Sequence, residues 1–167
     1  MLVIGIDPGI AITGYGLINE DEKGEIRVKA YGVIRTPANT PVPLRLKTLF
    51  AELTLLIRLH RPDYAAVERL FFQKNVRTAI NVGQARGVAI LALSQADLPV
   101  YEYTPMEIKQ AVTGYGGAAK KQIQLMVKAL LDLDEIPKPD DAADALAVAL
   151  CHLQSATINR LSENGSL

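Results

Sequence analysis

Leu2-Val3-Ile4-Gly5-Ile6-Asp7-Pro8-Gly9 is an apolar, largely β-branched run that ends in a carboxylate and turns at Pro8-Gly9. It predicts a strand with Asp7 at its end. Reading outward, Ile12 to Asn19 predicts a second strand, Asp21 to Gly24 a polar hairpin turn, and Ile26 to Thr36 a third strand. Together these make an antiparallel meander. Pro41 and Pro43 precede Leu44 to Ile57, whose leucine spacings of three and four mark an amphipathic helix closing near Arg61-Pro62. Tyr64-Ala65-Ala66-Val67-Glu68 then repeats the opening pattern, short and apolar with a terminal carboxylate, and predicts a central strand.

Farther along, Val76 to Gln95 predicts a helix with small residues between its apolar positions, and Leu98 to Tyr103 a fifth strand. Pro105 opens a short helix through Val112, Gly114 to Gly117 is a flexible break, and Lys120 to Leu131 forms the next helix. Pro137 and Pro139 bracket a turn before a last helix from about Asp140 to Gln154. Residues 157–167 read as a flexible tail, loosest from Ser162 onward. No repeat or linker divides the chain, so residues 1–156 are expected to form one α/β domain.

Composition narrows the function classes. The chain has 167 residues, 49% of them hydrophobic, enough for one sizeable core and against a disordered protein. Eighteen Lys and Arg balance 18 Asp and Glu, so charge-driven binding must be local. The longest apolar stretches fall short of the ~18 to 20 residues of a spanning helix, and Met1 opens into a strand without a basic leader, so a soluble, cytoplasmic protein with no membrane contact is expected. The single cysteine, Cys151, fits a reducing compartment and excludes Cys-rich metal motifs.

Acidic residues stand where apolar ones are expected. Asp7 and Glu68 end two strands, and Asp141 and Asp144, three apart, begin the stripe of the last helix that should pack on the sheet. If the two strands are neighbours, all four converge on one sheet edge. At ~4 Å and an effective dielectric of ~20, each like-charged pair repels by roughly 4 kcal/mol, more than the ~0.3 to 1 kcal/mol that a helix N-terminus offers. A positive partner must sit there. All-carboxylate ligation suits Mg²⁺ or Mn²⁺, and two such ions are the usual apparatus for in-line displacement at phosphorus. Singly, each acid has a plainer role: an Asp before Pro-Gly also forms turns, and Asp140 or Asp141 also caps a helix. The reading requires that the four side chains converge and that no lysine neutralises them.

A basic flank accompanies this acidic group. Arg69 to Lys121 carries seven basic residues against three acids, whereas Ala129 to Ala145 carries six acids and one lysine. Arg77 and Lys121 are candidate phosphate contacts on this charge alone, with solvated helix faces as the plainer alternative. Phe71-Phe72, beside Gln73-Lys74-Asn75, offers a ring that could stack on a base, although one of the two rings would serve the core. His60 and His152 have no metal-ligand spacing, and His152 is assigned to packing or surface.

These residues resemble the RuvC family of Holliday junction endonucleases from Met1 to about Gln154. The pieces are Gly5-Ile6-Asp7-Pro8-Gly9 with Gly14-Tyr15-Gly16, Ala66-Val67-Glu68 leading to Phe71-Phe72, Gly83-Gln84-Ala85-Arg86-Gly87, and Asp141 through Ala147. The resemblance implies an RNase H-like nuclease domain with a mixed five-stranded sheet of order 3-2-1-4-5, and a homodimer with two active sites. It places the four metal ligands on Asp7, Glu68, Asp141 and Asp144, where some members have His in place of Asp141. It also assigns base stacking to Phe71 and DNA contacts to Lys109 and Lys120. The implied reaction is Mg²⁺-dependent hydrolysis of one phosphodiester in each of two opposite strands of a four-way junction, leaving 5′-phosphate and 3′-hydroxyl ends. RuvA and RuvB, the branch-migration proteins, are the implied partners. The rival readings are an RNase H acting on RNA–DNA hybrids, a transposase-type strand transferase, and a non-catalytic junction-binding module. Kinases that begin with a similar strand need two such domains, more than this length supplies.

Overall fold

The computed structural model describes residues 1–69 and 76–164. Strands β1 (Leu2–Asp7), β2 (Ile12–Glu20) and β3 (Ile26–Arg35) form the antiparallel meander. Helix α1 (Val42–His60) leads to β4 (Tyr64–Glu68), which pairs parallel to β1. Helix α2 (Val76–Ser94) leads to β5 (Val100–Tyr103), parallel to β4. The sheet order is β3-β2-β1-β4-β5, followed by α3 (Pro105–Thr113), α4 (Lys120–Leu130) and α5 (Asp140–Asn164).

Two cores sandwich the sheet. One face packs on α1 and α2 through Leu49, Leu53, Ala85, Ala89 and Leu93, and the other on α3, α4 and α5 through Ile108, Val127, Leu146 and Leu150. Strand alternation decides which face each acid takes. Ile4 and Ile6 belong to the α1/α2 core and Val3 to the α5 core, so the two-residue period turns Asp7 toward α5. On β4, Ala65 and Val67 face α1 and α2 while Ala66 faces α5, which turns Glu68 the same way. The register Ile6↔Val67 makes Asp7 and Glu68 the next neighbours along the parallel ladder.

Helix α5 lies unusually close to the sheet because the strands beneath it present glycines. A Cβ built at Gly5 would lie 2.2 Å from the Ala145 carbonyl oxygen, and one at Gly14 would lie 1.9 Å from that of Asp141. Gly16, paired with Gly5, sits under Leu146. Gly14 pairs with Asp7 across β1 and β2, so the contact that seats the first turn of α5 also brings it beside Asp7.

Three details depart from the sequence reading. β5 starts at Val100 instead of Leu98, because Pro99 has no N–H for the ladder and only its carbonyl bonds, accepting from Ala65 N at 2.9 Å. α5 runs to Asn164 instead of ending near Gln154, since residues 155–164 contain neither Gly nor Pro to stop it. The Gly114–Gly117 break is tied down: Gln110 donates to the Gly114 carbonyl at 2.8 Å and accepts from Gly116 N at 3.0 Å, and Thr113 donates to the Tyr115 carbonyl at 3.0 Å. Gly114 caps α3 at φ 74°, a left-handed conformation that glycine adopts at little cost. No helix among the described residues is long and apolar enough to cross a membrane.

Candidate active site

Two of the acidic residues end strands and two stand on one helix. Asp7 ends β1 just before a turn that is clasped by the buried Thr13. The Thr13 hydroxyl donates to the Gly9 carbonyl at 2.6 Å and accepts from Gly9 N at 3.3 Å. Behind it the Thr36 hydroxyl bonds the Ile10 carbonyl, and Arg45 Nε donates to that hydroxyl at 2.8 Å. Glu68 ends β4, where Arg86 Nε donates to its backbone carbonyl at 3.3 Å and the same guanidinium pairs with Glu102. Asp141 and Asp144 stand on the first turns of α5. Thr13, Thr36, Arg45 and Arg86 carry no signal of this role in the sequence, since their partners are distant or are backbone groups.

The four acids lie within electrostatic reach of one another. Burial, then the charges of Glu68, Asp144 and Asp141 in that order, push the Asp7 carboxyl from 3.8 up to about 8. The interaction between the two carboxyls raises Asp7 and lowers Glu68. Burial nevertheless leaves Glu68 above the ordinary carboxylate range, with Lys109 and Lys120 pulling the other way.

At Asp144 one requirement of the sequence reading fails, because a lysine pairs with it. Lys120, the first residue of α4, places Nζ 3.0 Å from Asp144 Oδ2 and 3.4 Å from Asp140 Oδ2. Burial pulls the lysine down, but its bonds to Asp144 and Asp140 outweigh that and raise it. Asp144 is raised as well, because burial together with Asp140 and Asp141 outweighs the lysine. Asp7, Glu68 and Asp141 make no ion pair with a described residue, so Lys120 is the one lysine paired with the four carboxyls, while Lys109 acts on Glu68 from a distance.

Glu68, Asp144, Lys109 and Lys120 line a cavity of about 250 Å³, with Pro105, Ile108, Ile123 and Ala147 completing its wall. Asp7 and Asp141 are not among its lining residues. As they stand, no three acidic, imidazole or thiol side chains among the described residues are set to hold a metal ion. Asp7 is turned to Glu68, and Asp144 to Lys120. The donor set still fits a hard divalent cation: all four groups are carboxyls, and crowding raises Asp7 more than burial alone would. The two histidines do not contribute. His152 is buried, with Nδ1 2.9 Å from the Tyr103 hydroxyl, as the packing assignment requires.

The basic flank is only partly free. Arg69 and Arg86 both pair with Glu102, whereas Lys109 faces the cavity and Lys121 is exposed on α4. Phe71 and Phe72 lie outside the described residues. Arg77 falls in the first turn of α2, with its side chain outside the described part.

A sheet of this order, its acids grouped where β1 and β4 end against the terminal helix, is that of an RNase H-like nuclease. The family model described as crossover junction endodeoxyribonuclease RuvC matches residues 3–152. The chain belongs to the RuvC family. It is 58% identical over 163 residues to the crossover junction endodeoxyribonuclease RuvC of Brevibacillus brevis, covering 98% of each chain. It is similar to the solved RuvC of Thermus thermophilus, with a TM-score of 0.88 and 39% identity over 95% of this chain and 97% of that one. The same Thermus protein in complex with a Holliday junction substrate gives a TM-score of 0.86 and 36% identity, over 95% and 96% of the two chains. Membership of this nuclease family implies use of a divalent metal.

Proposed function

We propose that this chain resolves four-way DNA (Holliday) junctions in recombination and repair by paired, metal-dependent hydrolysis of one phosphodiester in each of two opposite strands. The observation that carries the reading is geometric: Asp7 and Glu68 end adjacent parallel strands on the face where the first turns of α5, bearing Asp141 and Asp144, are seated, and burial followed by those three acids pushes Asp7 up to about 8. Likeness to a relative solved with a Holliday junction substrate supports the choice of DNA. Asp7, Glu68, Asp141 and Asp144 would hold Mg²⁺, two ions per site, with Mn²⁺ able to substitute. Bound there, such ions supply activation of the attacking water and stabilisation of the leaving oxygen.

The chain's own residues do the rest. Releasing the Asp7 proton frees both carboxyls of the Asp7–Glu68 pair for ligation. Lys109, Lys120, Lys121 and Arg77 hold phosphates, and Phe71 stacks on a base near the crossover. Water oxygen bonds to phosphorus while the bond from phosphorus to the 3′-oxygen breaks, leaving 5′-phosphate and 3′-hydroxyl ends. Two chains in a homodimer would place one such site on each of two opposed strands, and RuvA and RuvB would deliver the junction.

The test is incubation with a synthetic four-way junction and, separately, with an RNA–DNA hybrid, each with Mg²⁺ and with chelator. Symmetric, ligatable cuts in the junction that need Mg²⁺ are expected. Faster cutting of the hybrid than of the junction would reject this function in favour of an RNase H.

A further inference from the structure

The Lys120 ion pair engages Asp144, one of the four proposed ligands. Its ammonium lies between Asp144 and Asp140 at the mouth of the cavity that Glu68 and Lys109 also line. The lysine side chain is 54% exposed and the Asp144 side chain 26%, so the pair is anchored on a half-buried acid but open to solvent on its cationic side. A pair so exposed is weak and exchangeable. Lys120 is the first residue of α4 and its two partners stand on the first turns of α5, so the ammonium bridges the two helices.

We propose that Lys120 is a tethered counter-ion of the metal-free protein, displaced from Asp144 by the incoming divalent cation and thereby released to bind a DNA phosphate beside Lys109. The proposal rests on the metal site argued above. Lys120 is then a positioning residue that acts through Asp144, and it couples metal loading to DNA affinity. The metal must first win Asp144 from the lysine, and each loading event frees one positive charge at the cavity mouth. This predicts opposite effects of one substitution on two ligands, which a merely structural lysine would not give.

Calorimetric titration of the full chain with Mn²⁺, without DNA and at fixed pH, tests this. Lys120→Met should bind Mn²⁺ roughly two- to fivefold more tightly than the wild type, as expected for removal of an exposed pair. The same variant should bind a four-way junction more weakly. Lys120→Arg, which keeps the charge, should stay near the wild type, and Lys121→Met should leave Mn²⁺ affinity unchanged because Lys121 makes no such pair. Equal Mn²⁺ affinity for the wild type and Lys120→Met, or an equal gain in Lys121→Met, would overturn the counter-ion role and leave the metal site standing. No Mn²⁺ binding by either the wild type or Lys120→Met would overturn the metal site, and the counter-ion role with it.

Discussion

At Asp7, burial and three neighbouring acids raise the carboxyl from 3.8 to about 8, so across that interval the folded chain retains a proton that the unfolded chain has released. Stability linked to such a proton is complete below the unfolded value and is lost as the pH rises through the folded one. Raised Glu68 and Asp144 act in the same direction. His152, lowered by burial, opposes them only at more acidic pH, where its imidazole gains charge. Thermal unfolding in chelator should therefore show a midpoint that falls as the pH rises through neutrality toward about 8 and levels off above it, and excess Mg²⁺ should remove most of that fall. Asp7→Asn, a near-isosteric neutral, should flatten the profile and stabilise the metal-free protein at pH 8 by about 1 kcal/mol, a rise of roughly 2 to 4 °C for a chain of this size. It should retain junction binding while cleavage drops on the order of a hundredfold or more. Near wild-type cutting by that variant would remove Asp7 from the ligand set. Lys109→Ala should weaken junction binding and lower the slope of log affinity against log salt by about one contact, read from binding titrations at several salt concentrations.

Among the elements, α5 matters most to the site, and its seat is backbone. Gly14→Ala would drive a methyl into the Asp141 carbonyl, which lies 1.9 Å from the Cβ position, so strand or helix must move. An overpacking cost of roughly 1 to 3 kcal/mol is expected, with loss of cleavage larger than the stability loss alone accounts for. Denaturant unfolding measured beside junction cleavage separates the two effects. The chain's strands and helices were largely legible because their apolar runs are bounded by Pro, Gly or a terminal acid, and Asp7 and Glu68 stood out as carboxylates ending such runs. The seat of α5 was not legible. A glycine within a strand pattern reads as a bulge or a weak strand, and only the docked helix reveals Gly5, Gly14 and Gly16 as one smooth floor. Nor could spacing show that Lys120 would reach Asp144, since the two lie on separate helices with a proline-bracketed turn between them.

For the whole molecule, the acids come from residues 7, 68, 141 and 144 and form one group per chain, whereas paired cuts in opposed strands call for two groups. Sedimentation should give twice the mass of one chain at the concentrations where paired cuts are made. A single-chain species that makes both cuts would overturn the dimer. The neutral overall charge conceals the arrangement, since its basic stretch from Arg69 to Lys121 and its acidic stretch from Ala129 to Ala145 cancel in the sum.

Half of the proposed ligands ride on α5, whose glycine floor is built from β1 and β2 together and so exists only where those two strands are paired. A half-synthesised or clipped polypeptide lacking that helix would carry Asp7 and Glu68 alone, and so could not cut. Completing the fold would then act as the safety catch on the proposed chemistry.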